Sequence, residues 1–163
     1  MSLVIRAARP DDSALIFALV CELADYEKLR HEVLAMPDDI AEALFGSEKQ
    51  LACDIAEWDG EAAGFSVWFL NYSTFRGRHG IYLEDLFVCP GYRGRGIGKA
   101  LLRRLAGRCV EQGYARFEWA VLDWNAPSIA FYQSIGAEIK AEWKICRLSG
   151  PGLADFAGEG SLA

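Results

Sequence analysis

The sequence predicts one α/β domain, a mixed and mostly antiparallel sheet flanked by helices. Three observations lead there. Two strand-like segments, "LACDIAEW" and "EAAGFSVWFLNYS", are joined by Asp59-Gly60, a hairpin turn signal, so the early sheet is antiparallel. Later strand-like segments alternate with helical ones, the pattern of crossover connections. A chain of 163 residues, 52% hydrophobic and 25% charged, holds one real core and is too short for two ordinary domains.

The elements follow in order. "LVIRA" is a short strand. "PDDSALIFALVCELADYEKL" reads as a helix: Pro10 suits its first position, Asp11 and Asp12 favour the positive end of its dipole, and Leu15, Leu19 and Leu23 with Ile16 and Val20 form an apolar stripe. "MPDDIAEALFG" repeats that grammar more briefly, with Gly46 as a stop. The hairpin comes next, then a polar loop, "STFRGRHG", and the strand "IYLEDLFV". A glycine-rich turn opens the following helix, which Gly113 is placed to end. "ARFEWAVL" is a strand, "PSIAFYQSIG" a short helix and "AEIKAEWKICRL" a last strand. The domain therefore spans residues 1–150, and residues 151–163 read as a loosely held, glycine-rich tail.

Composition removes several function classes. No run approaches the ~20 apolar residues of a membrane span. The start, "MSLVIRAARPDD", lacks an apolar signal core, so a cytoplasmic protein is expected and the "NYS" sequon at 71–73 is a chance match. Five cysteines (Cys21, Cys53, Cys89, Cys109, Cys146), odd in number and without a C-x-x-C, argue against a disulfide framework and a zinc site; buried reduced thiols are expected, and no metal. Only His31 and His79 are available to a histidine triad.

The chemistry concentrates in "GYRGRGIGKALLRRL", residues 91–105. Backbone N–H groups at a helix start point outward beside the positive dipole end, an anion cradle that glycines let a bulky diphosphate approach. Two templates fail. A dinucleotide G-x-G-x-x-G beginning at Gly94 and Gly96 meets Lys99 where it needs glycine. A Walker loop ending in Gly98-Lys99 has Arg93 in place of glycine and Ala100 in place of Ser or Thr. What remains is R-x-x-G-x-G from Arg93 to Gly98. Residues 93–108 carry six of the 17 basic residues and no acid, while all 23 acidic residues lie elsewhere in a chain of net charge −6. The basic segment fits an anionic cofactor, although Arg103, Arg104 and Arg108 also suit a solvated helix face. The acidic remainder favours a cationic substrate and disfavours nucleic acid.

The R-x-x-G-x-G turn between strand and helix resembles the pyrophosphate loop of the GNAT superfamily of acyl-CoA-dependent N-acetyltransferases, and the order of elements resembles that fold. "ELADYEKL", "YSTFRGR", "IYLEDLFV", "YRGRGIG" and "VLDWNAPSIAFY" resemble its spermidine/spermine and thialysine branch. The resemblance implies a GNAT fold and acetyl-CoA as co-substrate, held by Arg93, Gly94, Arg95, Gly96, Ile97, Gly98 and Lys99. It implies that the backbone of Leu86, Phe87 and Val88 takes the pantetheine arm as a pseudo-strand, with Asn125 and Ser128 also touching it. It implies Tyr132 as donor to the departing sulfur and Glu84 as proton acceptor. Tyr26, Glu27, Glu84, Asp85 and, more loosely, Glu142 would contact the amine. The polyamine enzymes carry an aspartate where this chain has Ser73, so a thialysine-like amino acid or short diamine is expected over a long polyamine. A homodimer is expected by analogy alone.

These roles make chemical sense. A primary alkylamine, pKa near ~10.4, is almost wholly protonated at neutral pH, so a carboxylate must hold the cation and accept its proton. Glu84 and Asp85 lie inside an otherwise apolar strand, where unpaired carboxylates are expensive, and strand alternation predicts opposite faces. Tyr132, with Ile129 and Ile135 at helical spacing, would otherwise be a core aromatic. The alternatives are a spermidine/spermine acetyltransferase and an acyl-CoA-binding sensor without turnover.

Overall fold

The computed structural model describes residues 1–159, which form two compact units, Met1–Leu122 and Asp123 onward. The first unit is a five-stranded sheet in the order β1-β2-β3-β4-β5. Its strands are β1 (Leu3–Ala7), β2 (Ala52–Trp58), β3 (Glu61–Ser73), β4 (Arg78–Val88) and β5 (Phe117–Glu118), and its helices are α1 (Ser13–Tyr26), α2 (Pro37–Phe45) and α3 (Ile97–Gln112). Strands β1 to β4 pair antiparallel, and β5 runs parallel to β4. The hairpin turn uses positive φ at both Asp59 (52°) and Gly60 (87°), the backbone that twists the two strands correctly into register.

Alternation along the strands sorts the core onto two faces. On one, Ile16, Leu19 and Leu23 of α1 and Leu44 of α2 bury against Cys53, Ile55, Phe65, Val67 and Phe87. On the other, Ile97 and Leu101 of α3 bury against Ala56 and Ala63. Helix α1 thus spends its predicted stripe on the sheet, and α3 fills the opposite side.

One polar knot ties the entry of α1 to the sheet. Arg6 of β1 donates to both oxygens of Asp12 (2.7 and 3.0 Å) and to Glu57 Oε1 (2.8 Å). Its guanidinium holds the Asp12 carboxyl below the usual aspartate range, and the Asp12 carboxylate accepts from the Arg9 N–H as well.

In the second unit, α4 (Ala126–Ser134) is capped by Asn125, whose Oδ1 accepts from the Ser128 N–H at 3.3 Å. Three expectations change along the chain. Residues 137–148, expected as a last strand, carry no strand, because no partner ladder forms along them, and from Glu138 onward their side chains are exposed. The expected loose tail instead forms α5 (Gly150–Glu159) over its described part. The strand expected at 115–122 shortens to Phe117–Glu118. Of the five free cysteines, Cys21, Cys53 and Cys109 are buried as expected, Cys89 is half-buried and Cys146 is exposed. Among the described residues, no helix is long and apolar enough to cross a membrane.

Candidate active site

Strand β4 carries the centre of the site. Val67 of β3 pairs with Asp85 and Trp68 with Leu83, so Glu84 is an extra residue, a β-bulge. The bulge breaks the simple alternation that the sequence predicts. Asp85 shares the α1-side face with its partner Val67, while Leu83 shares the α3-side face with Trp68. Glu84 is exposed and Asp85 is half-buried.

Burial decides the protonation of the inner acid. Desolvation, reinforced by the nearby charges of Glu84 and then Glu27, pushes the Asp85 carboxyl up to about 7. Glu27, which caps the C-terminal end of α1, is also raised, by burial. Three acids from two elements therefore meet where α1 ends against β4. Tyr82, two positions before Glu84, has its phenol raised by burial and by Glu84, and its ring lies 5.2 Å from that of Phe69.

Beyond the bulge β4 becomes an edge. Strand β5 pairs with it only at Ile81 and Tyr82, so Leu83–Val88 have no strand on that side among the described residues. Leu86, Phe87 and Val88 keep their pairing to β3 on the other side. An edge of this kind offers backbone donors and acceptors to an extended ligand.

The glycine-rich turn follows. Gly94 (φ 77°) and Gly96 (φ 79°) both take the left-handed backbone, and a side-chain carbon at either would meet nothing within 4 Å. The space above the turn is open, and only glycine holds this backbone without strain. Gly96 is the N-cap of α3, so Ile97, Gly98 and Lys99 begin the helix with N–H groups that no preceding turn can satisfy. Alternating left-handed residues before a helix start make a concave cluster of N–H groups suited to an anion. The turn therefore fits the diphosphate of acetyl-CoA.

The two loop arginines are placed differently from a simple phosphate clamp. The Arg93 guanidinium lies over the Tyr26 ring (5.0 Å) and the Phe87 ring (5.5 Å), and its Nε donates to Val88 O at 3.0 Å. Arg95 lies over Trp58 (5.0 Å) and Tyr92 (5.3 Å) and donates to Gly91 O. Both brace the turn against the sheet. Tyr26 is thereby linked to the turn through Arg93. Farther along α3, Arg104 approaches Asp54 of β2 (Nε to Oδ2 3.2 Å).

The remaining expected residues belong to other elements. Ser73 is buried at the end of β3, where its hydroxyl accepts from the Arg76 N–H at 3.2 Å and steadies the turn into β4. In the second unit, Tyr132 lies on α4 beside Phe131 (ring centroids 5.6 Å apart), and Asn125 with Ser128 forms the cap already described. Glu142 lies in the exposed strand-free segment and pairs with Lys140 at 2.8 Å. No group of three metal-ligating side chains occurs among the described residues.

Comparison with known proteins converges on one family. The acetyltransferase (GNAT) family model matches residues 18–137. The chain is 34% identical to the thialysine N-epsilon-acetyltransferase of Mus musculus, over 94% of this chain and 96% of the relative. It is 31% identical to the L-ornithine N5-acetyltransferase of Arabidopsis thaliana, over 91% of this chain and 85% of the relative. An integron cassette protein from V. cholerae superposes with a TM-score of 0.80 at 26% identity, covering 96% of this chain and 98% of that one. GNAT acetyltransferases take acetyl-CoA as co-substrate, in keeping with the open turn and the free edge of β4. With its sheet order, its bulged fourth strand and its glycine-rich turn, this chain belongs to the GNAT acetyltransferase family and is an N-acetyltransferase.

Proposed function

We propose that the protein transfers the acetyl group of acetyl-CoA to the terminal primary amine of a small cationic molecule, an ornithine- or thialysine-like amino acid or a short diamine, by direct attack within a ternary complex. The observation that carries this reading is the acid cluster of Glu27, Glu84 and Asp85 at the unpaired stretch of β4. The named relatives acetylate the side-chain nitrogens of L-ornithine and thialysine, both short amines.

The residues divide the work. Exposed Glu84 attracts the ammonium, with Tyr26 and Glu27 lining its approach. Asp85 accepts the proton, directly or through water: a carboxyl near 7 is matched to work at neutral pH, whereas an ordinary aspartate is too weak a base. The proton-acceptor role that the resemblance gives to Glu84 thus passes to its neighbour. Backbone N–H groups of Leu86 to Val88 align the thioester and stabilise the developing oxyanion. The turn from Arg93 to Lys99 anchors the diphosphate, and the Tyr132 phenol protonates the leaving thiolate.

An amine panel scored by thiol release tests the proposal. Ornithine, thialysine and short diamines are expected to give higher kcat/KM than spermidine or spermine. A clear preference for spermine would overturn the substrate class. Acetyl-CoA binding without thiol release from any amine would overturn catalysis itself.

A further inference from the structure

A cavity lies on the first unit, at the end of the sheet where β1 finishes and β2 begins, and shares no residue with the candidate active site. Its volume is about 330 Å³, within the range of small-ligand sites. Leu44 and Phe45 of α2, with Ala8 and Ala52, make one wall apolar. Lys49, Asp54, Trp68 and Arg108 make the other polar.

The polar wall is unusually short of partners. Trp68 Nε1 and Arg108 Nε, which line the cavity, are buried without a hydrogen-bond partner, as is the hydroxyl of Ser66, which pairs with Asp54 across the strands. Asp54, Ser66 and Trp68 are each at least nine-tenths buried, with 2%, 0% and 9% exposure. Buried polar groups are almost always hydrogen-bonded, so two such donors lining one cavity point to a ligand. Their chemistry says which kind. The Arg108 guanidinium lies 5.0 Å over the Trp68 ring, which brings two unmet N–H donors together. Arg104, 3.2 Å from Asp54, balances that carboxylate, whereas Lys49 and Arg108 have no ion-pair partner among the described residues. The excess charge is positive, and an oxyanion is the group that accepts from two N–H donors beside a guanidinium.

We propose that this cavity, walled by Arg108, Trp68 and Lys49 on one side and by Leu44 and Phe45 on the other, binds a small carboxylic acid with an apolar tail. The carboxylate takes the Arg108 and Trp68 donors, and the tail lies against the α2 wall.

Titration of the intact protein, followed by the indole N–H resonance of Trp68, tests this. Trp68→Phe identifies the resonance. The probes are 4-methylpentanoate, leucine (the same skeleton with an ammonium) and 4-methylpentan-1-amine (no carboxylate). Millimolar 4-methylpentanoate is expected to shift the Trp68 resonance saturably. Arg108→Met should weaken it by roughly tenfold or more, the worth of a charge-assisted hydrogen bond. Arg103→Met, on the exposed face of α3, should leave it unchanged. Lys49→Met, at an exposed position, gives a second weakening that does not depend on the fold of the Arg108 variant. Tighter binding of leucine would make the natural ligand an amino acid, and weaker binding a simple acid. No shift with 4-methylpentanoate, as for a cavity holding water alone, would overturn the proposal. So would an equal shift with the amine.

Discussion

Replacing Asp85 with asparagine should stabilise the protein above neutral pH while disabling it. The gap between the ordinary aspartate value of 3.8 and about 7 in the fold, at about 1.4 kcal/mol per pH unit, makes ionising Asp85 up to roughly 4 kcal/mol harder in the native state. The sign follows from proton counting. Between those two values the folded chain holds the Asp85 proton and the unfolded chain has lost it, so stability falls as pH rises through that window. Asparagine does not titrate. Urea unfolding of both proteins should therefore give similar stabilities near pH 4 and a widening advantage for the variant, approaching that limit above about pH 8. Taking the difference between the two proteins cancels other groups, including Asp12, whose contribution disappears only at low pH. Activity should move the opposite way, with kcat in Asp85→Asn lower by about 10²–10⁴ and the acid limb of the pH–rate profile abolished. In Glu84→Gln the limb should survive and shift to lower pH, because removing that charge eases deprotonation of Asp85. A stability difference that stays constant from acid to alkaline pH would refute the reasoning, since burial would then not hold the Asp85 proton.

Other consequences can be measured separately. Gly96→Val forces a branched side chain into left-handed backbone above the open turn, so calorimetric titration should find acetyl-CoA binding largely abolished. Arg104→Ala, which removes only the Asp54 contact, should bind acetyl-CoA as the wild type does. Tyr132→Phe keeps the ring and deletes the hydroxyl, so acetyl-CoA affinity should hold while single-turnover acetylation slows by about 10²–10⁴. Arg6→Met leaves Asp12 and Glu57 facing each other without their cation and should cost about 1–2 kcal/mol in denaturant unfolding at neutral pH, with acetyl-CoA affinity unchanged.

Much of this molecule was legible in its local sequence. The bounds of β3 and the positions of α1, α2 and α3 follow from apolar period and from breakers such as Pro10, Pro37 and Gly113, because these elements are decided by residues a few positions apart. The glycines of the turn likewise announce a backbone that other residues avoid, and Gly94 and Gly96 adopt it. Tertiary structure decided what depends on distant partners. Whether a strand forms at 115–122 or 137–148 depends on a neighbour to pair with, and only Phe117–Glu118 has one. Along the chain Arg93 and Arg95 read as cofactor-loop residues and Arg104 as part of a solvated helix face, yet two stack on aromatic rings and the third meets Asp54, because each finds a different neighbour in space. The same applies to the paired acids of β4. "ED" in an apolar strand says that two carboxylates are present, but the bulge that leaves Glu84 in water and turns Asp85 inward is set by the register with β3 and the end of α1. Burial, and hence proton affinity, is a property of that packing and not of the residue.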